Sequence, residues 1–272
     1  MLTMFKRLAS LIPTPATNKV TLFVSDTGIP SYKDDAGLVT PMSGQPIPTG
    51  YIDGLKMEWV SGTQIRFTSG SAYIPSLGQA LTLAAAVTKT PTLAASTWYH
   101  AYLYSNAGTP DVEVTTTTPD TPYSGTARTK NGDTSRRYLG AFKTDSSPAI
   151  IGFDSLAGGL VFYRIPAASF GNFQILNGGA STTPVDLDCS GYIPATARIG
   201  YFQLQINAGT LTNLMPSGVT ASPVADLVVT RGASIGIYMG ACRIGNAQKV
   251  AYQANDASST TYVWIKGYYE ER

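Results

Sequence analysis

The chain holds one histidine, so any imidazole chemistry must run through it. His100 lies inside Trp98-Tyr99-His100-Ala101-Tyr102-Leu103-Tyr104, the densest aromatic run in the sequence. A Ser-His-Asp hydrolase would use it as general base, but no Gly-x-Ser-x-Gly elbow accompanies it. An imidazole flanked by rings on an extended segment is better accounted for as a packed or hydrogen-bonded structural side chain. Carboxylate pairs offer a second chemistry. Asp186 and Asp188 fall two residues apart on one strand face, as do Asp111 and Glu113. Such pairs can flank a sugar or bind a cation. Solvent-facing positions on an antiparallel sheet account for the same spacing, and that role is expected for both. Cys189 and Cys242 are too far apart in sequence for close ligand spacing, and one histidine cannot complete a zinc site. They are expected as buried free thiols. No phosphate loop, dinucleotide fingerprint or metal-binding helix motif occurs. The sequence therefore predicts a non-enzymatic protein with no catalytic residue, cofactor or metal.

Aromatic side chains near loops are the remaining candidates for function, because Trp and Tyr can stack on sugar rings. Tyr123 sits in a Thr/Pro-rich loop, and Trp264, Tyr268 and Tyr269 lie toward the C-terminal end. These four are the candidate contacts to a glycan or protein surface, and filling the core or an interface between subunits is the expected alternative for each.

The elements that position such residues read as strands. Charged residues are 13% of 272, about half the usual share of roughly 25%. Thr, Ser, Tyr, 27 Gly and 17 Pro take their place, a composition of strands and turns. A net charge of +2 with scattered Lys and Arg gives no basic stripe for nucleic acid. The apolar run after Lys6-Arg7 stops at Pro13, too short for a signal peptide, and no stretch is long and apolar enough to insert in a membrane. Leu2, Phe5, Ala9 and Ile12 recur at helical spacing, which predicts a short amphipathic helix over 2–12. A small β-meander over 19–40 follows. It is too small to bury its own apolar face alone, which predicts association. The Pro/Gly-rich linker after Ser43 and Gly158-Gly159 mark two boundaries. The expected architecture is all-β: an N-terminal extended arm and small β-meander (1–45), then two antiparallel β-sandwich, jelly-roll-like domains (46–157 and 158–272). Trp98–Tyr104 should be a central strand, since both of its faces are apolar or aromatic. Ala80–Val87 is read as one strand, and eight strands are expected between Leu160 and Tyr268.

Several segments carry a resemblance. Lys19-Val-Thr-Leu-Phe-Val-Ser-Asp-Thr-Gly28 with Tyr32-Lys-Asp-Asp-Ala-Gly-Leu-Val39 resembles the N-terminal meander of bacteriophage tail fibres and other fibre-like virion proteins. Leu93–Leu103, Ala127–Gly140 and the terminal Trp264-Ile-Lys-Gly-Tyr-Tyr-Glu-Glu271 are similar to segments of the same proteins. The resemblance implies a homotrimeric structural component of a tailed phage, a short tail fibre or spike at the tail or tail tip. Residues 1–45 would join other virion proteins, with Leu2, Phe5 and Ile12 as anchor residues, and 158–272 would face the host. A capsid decoration or head fibre protein is the alternative location. A polysaccharide depolymerase tailspike is the alternative function.

Overall fold

The computed structural model describes residues 6–26, 28–41, 47–156, 159–208, 211–218, 226–230 and 236–272. The fold is all-β. It divides into two compact units, Met1–Pro48 and Thr49–Arg272.

The first unit is a four-stranded sheet, β1 (Lys6–Arg7), β2 (Thr21–Ser25), β3 (Pro30–Lys33) and β4 (Val39–Pro41), in that order. The expected meander is present. The expected helix over 2–12 is not: in its described part, β1 pairs parallel with β2, and Ala9–Leu11 form a single 3₁₀ turn. Leu8 and Leu11 are exposed there. Among the unit's described residues the buried apolar side chains are Ile12 and Phe23, whereas Leu11, Leu22 and Leu38 are 65%, 58% and 63% exposed.

The second unit begins with six short strands: β5 (Ile52–Gly54), β6 (Met57–Ser61), β7 (Gln64–Phe67), β8 (Gly70–Ile74), β9 (Gln79–Leu83) and β10 (Val87–Lys89). They form two three-stranded sheets, β10-β7-β6 and β5-β8-β9. The apolar stretch 80–87 is thus two strands, each in a different sheet. Gly54 and Gly70 pair across β5 and β8, and each passes so near the other's backbone that a Cβ would collide with it. Next come β11 (Trp98–Asn106), β12 (Thr109–Thr115), β13 (Thr129–Lys130) and β14 (Asp133–Lys143), ordered β12-β11-β14-β13. The aromatic strand β11 is therefore interior, as its two-faced pattern predicts. Tyr99, Ala101 and Leu103 enter the main core, where Tyr99 stacks on Phe142. On the opposite face, Tyr102, Tyr138 and Ala141 form a smaller cluster with Trp98.

The remaining strands are β15 (Phe153–Ser155), β16 (Leu160–Tyr163), β17 (Gln174–Gly179), β18 (Val185–Asp188), β19 (Ala197–Ala208), β20 (Leu211–Pro216), β21 (Leu227–Thr230), β22 (Gly236–Arg243), β23 (Lys249–Ala254) and β24 (Thr260–Glu270). One sheet runs β15-β16-β24-β19-β22, with β17 also on β24; the other runs β18-β23-β20-β21. Their pairings are antiparallel. Leu211–Pro216 is a strand that pattern reading passes over. Phe202, Leu204 and Ile206 of β19 face inward with Val263 and Ile265 of β24. Gln203 and Gln205 face outward beside Trp264 and Tyr262 on one side and Met239 and Ile237 on the other.

The expected boundary at 157/158 does not separate two compact units. It falls in the connection between β15 and β16, which pair with each other through Phe153 and Tyr163. Gly159 adopts φ +91° and lies against the carbonyl oxygen of Glu270, so it serves a close backbone approach rather than a linker. The core is continuous from Leu55 to Tyr268. Glu270 of β24 is buried and joins the two halves: Tyr138 Oη and Thr196 Oγ1 donate to its Oε1, and the Ala141 amide donates to its Oε2. Tyr268 Oη donates to the Ala141 carbonyl at 2.8 Å. Residues 49–272 expressed without the first unit are expected to keep the single cooperative thermal transition of that unit. Circular dichroism melting checks this, and loss of the transition would contradict the division.

Candidate functional site

The residues that sequence singled out lie apart. His100 is buried on β11, opposite Thr115 and Ala141, with its ring 6.0 Å from that of Tyr138. Its Nδ1 has no hydrogen-bond partner, and desolvation lowers its pKa from 6.5 to about 4. It is a neutral packed side chain at physiological pH. The carboxylates are tied to basic partners: Asp111 to Lys89 at 2.5 Å, Glu113 to Lys130 at 2.8 Å and Arg136 at 2.6 Å, Asp186 to Lys249 at 3.8 Å. Asp188 instead accepts from the Ser190 amide and caps a turn. Cys189 and Cys242 are free and buried. Among the described residues no group of three His, Cys, Asp or Glu could hold a metal, and no helix is long and apolar enough to cross a membrane.

Of the four aromatic candidates, two are corrected. Tyr268 is buried against Trp98 and Tyr163. Trp264 is covered by Phe170 and Tyr262. Proximity to the C-terminus suggests exposure, but β24 is an interior strand, and interior strands are covered by their neighbours. Tyr123 is exposed, with its ring beneath the Arg137 guanidinium. Tyr269 is half-buried beside Ile52, Thr126 and Arg272 around a shallow cavity of about 350 Å³. Ile12 is buried inside the first unit, where its carbonyl accepts from Lys33 Nζ, so its side chain is not offered to a partner. Leu2 and Phe5 lie outside the described residues.

The structure brings a different set together. A cleft of about 480 Å³ is lined by Trp59, Asp145, Arg164, Asn172, Phe173 and Tyr192, among others. That volume lies within the few-hundred to thousand Å³ range of small-ligand sites. A second cavity of about 370 Å³ shares Asp145, Asn172 and Tyr192 with it and adds Lys143. The two make one groove.

Each wall has a local cause. Trp59 on β6 is fixed by its Nε1 donating to the Ile150 carbonyl at 3.2 Å, and the Arg164 guanidinium covers one ring face. Arg164 is itself held by Asp154 at 2.5 Å. Asp145 Oδ1 accepts from the Ser147 and Ala149 amides and shapes the turn that closes one side. Tyr192 packs on Phe173 with centroids 4.3 Å apart, and its carbonyl accepts from Tyr163 Oη. Asn172 is exposed at the end of the 3₁₀ segment Ala167–Phe173. Lys143 closes β14, with its ammonium 5.6 Å from the ring centroid of Trp98 and 5.7 Å from that of Tyr192. Burial lowers the Lys143 pKa, and Asp188 opposes this through space without an ion pair. The groove thus combines aromatic walls, short polar side chains, one carboxylate and one cation held by rings. Trp59, Lys143 with Asp145, Arg164, Asn172 with Phe173, and Tyr192 come from five separate segments, and no short motif in the sequence announces them.

No protein-family model matches the chain, and comparison with curated proteins finds no significant relative.

Proposed function

We propose that the protein is a non-enzymatic structural component of a tailed-phage virion, a homotrimeric short tail fibre or spike subunit that mediates attachment to the host surface. The observation that carries this reading is the first unit. Among its described residues it buries Ile12 and Phe23 and leaves Leu8, Leu11, Val20, Leu22 and Leu38 exposed. Two buried side chains supply too little apolar burial to order such a unit, so its outer apolar residues need a partner. The sequence resemblance to fibre proteins supplies the kind of partner: further copies of the chain, and other virion proteins.

A second observation supports subunit packing. Ile237 and Met239 on edge strand β22 are 60% and 63% exposed and share a face with Gln203 and Gln205. Between Gly236 and Cys242 the strand itself carries no charged side chain, whereas edge strands of monomers usually carry one. The burial of His100 favours binding over hydrolysis, because the one available imidazole base is enclosed. The groove between Trp59 and Lys143 is the candidate contact with the host.

The protein is expected to sediment at about three times its 28.8 kDa chain mass. Monomer mass across micromolar concentrations would contradict the trimer. Labelling of intact particles tests location, and label on the head rather than the tail would overturn the tail assignment. Purified protein should block adsorption of those particles to host cells.

A further inference from the structure

We propose that the groove binds an acidic saccharide, with the sugar carboxylate paired to Lys143 Nζ, ring faces against Tyr192 and Trp59, and hydroxyls held by Asn172 and Asp145. The proposal deepens the attachment reading and rests on it for its biological setting.

Lys143 is the first reason. Its ammonium is held over two rings at one end of the groove and pairs with no carboxylate among the described residues. The other basic side chain of the groove, Arg164, is already matched by Asp154. Asp188 reaches the Lys143 ammonium only through space; taking a cation partly out of water without a hydrogen-bonded counter-ion costs free energy, and a ligand carboxylate would recover it as a charge-assisted hydrogen bond. The rings fix the ammonium in place, so little ordering remains to be done on binding.

The rest of the lining favours a sugar as the carrier of that carboxylate. Tyr192 and Trp59 are half-buried and line the groove with the ring surface that Phe173, Lys143 and Arg164 leave uncovered, which can pack on ring C–H groups. Asn172 offers both a donor and an acceptor. Asp145 uses Oδ1 for its own turn, and among the described residues Oδ2 takes no protein donor, so it can accept from a hydroxyl. Ser146 and Ser169 add hydroxyls along the same walls. Neighbouring donors and acceptors between aromatic walls match the dense hydroxyls of a sugar better than the sparse polar groups of an apolar ligand.

The test uses the full chain. Trigalacturonate and N-acetylneuraminic acid serve as acidic probes and maltotriose as the neutral one. Titrations are read by calorimetry and by tryptophan fluorescence, since Trp59 and Trp98 flank the groove. At least one acidic probe is expected to bind saturably and about tenfold or more tighter than maltotriose, and to weaken as salt is raised. Lys143→Met keeps the apolar stem against the rings and is expected to remove that acidic preference, about tenfold in affinity. Asn172→Ala, at an exposed position, should weaken all saccharide binding. No saturable binding of either acidic probe, equal binding of maltotriose, or unchanged affinity in both variants would overturn the proposal. If Lys143→Met does not fold, Asn172→Ala decides alone. The adsorption assay separates the two readings. Protein that blocks adsorption but binds neither acid leaves attachment standing and removes the groove assignment. Protein that binds an acid through Lys143 but does not block adsorption keeps the groove and removes attachment.

Discussion

Replacing Glu270 with alanine is expected to lower the stability of the 49–272 unit by about 4 kcal/mol, the cost of breaking one side of a buried charged network. The carboxylate takes donors from Tyr138, Thr196 and the Ala141 amide, and its charge faces Arg272, whose guanidinium donates to the Leu55 carbonyl at 2.8 Å. Alanine leaves the Ala141 amide without this acceptor, leaves the Tyr138 and Thr196 hydroxyls, 3.3 Å apart, with only each other of this network, and leaves Arg272 without its counter-charge. Glutamine at 270 should cost less, because its carbonyl still accepts from Tyr138 and Thr196. Burial holds the Glu270 carboxyl above the usual carboxylate range. Its contribution is therefore full below that range and declines as pH rises through the shifted value, so the alanine penalty is larger in acid than at neutral pH. Urea denaturation at two pH values measures both effects. A penalty under about 1 kcal/mol at both would show that Glu270 is not what joins the halves of the unit.

Acid should destabilise the protein through His100. Its pKa is lowered from 6.5 to about 4 by burial, so the folded imidazole stays neutral while the unfolded one takes up a proton. The stability it carries is complete above pH 6.5 and is lost as pH falls toward 4. At about 1.4 kcal/mol per pH unit the total is roughly 3 kcal/mol. Below pH 4 the contribution is flat. His100→Gln has no such proton to take up. Its stability should run parallel to the wild type above pH 6.5 and fall less steeply below it. Parallel curves throughout would sink the assignment. The same experiment tests the local structure, because an imidazole open to solvent would titrate normally.

Much of the fold was legible. β11 announced itself by rings on both faces, and β7, β8, β14 and β19 by alternation between turn residues, since strand period and turn chemistry are local properties. What failed was non-local. Gly158-Gly159 looks like a linker because glycine pairs usually are; the role of Gly159 depends on a strand that passes beside it. Tyr268 and Trp264 look exposed because they are near the C-terminus, yet their burial follows from where β24 is inserted. The groove was illegible for the same reason. Trp59, Lys143, Asp145, Arg164, Asn172 and Tyr192 meet only after β6, β14 and β16 have paired, and nothing in any one segment marks them. The carboxylate pairs and His100, by contrast, were read as structural from their strand setting; His100 is buried, and Asp111, Glu113 and Asp186 face basic side chains.

The position of β24 has a consequence for synthesis. It is paired on both sides, Leu160 to Tyr269 and Ile206 to Thr261, so β16 and β19 share a neighbour that is translated after both. While the ribosome makes the intervening segments, those two strands must wait with open edges. Such long-range closure is slow, and open edges invite pairing between nascent chains. Polysomes bring several copies of the same unfinished sheet close together at that moment. Misassembly during translation, rather than instability of the finished protein, is therefore where expression yield is most exposed, and slowing elongation between β19 and β24 should lower yield more than slowing it before β16.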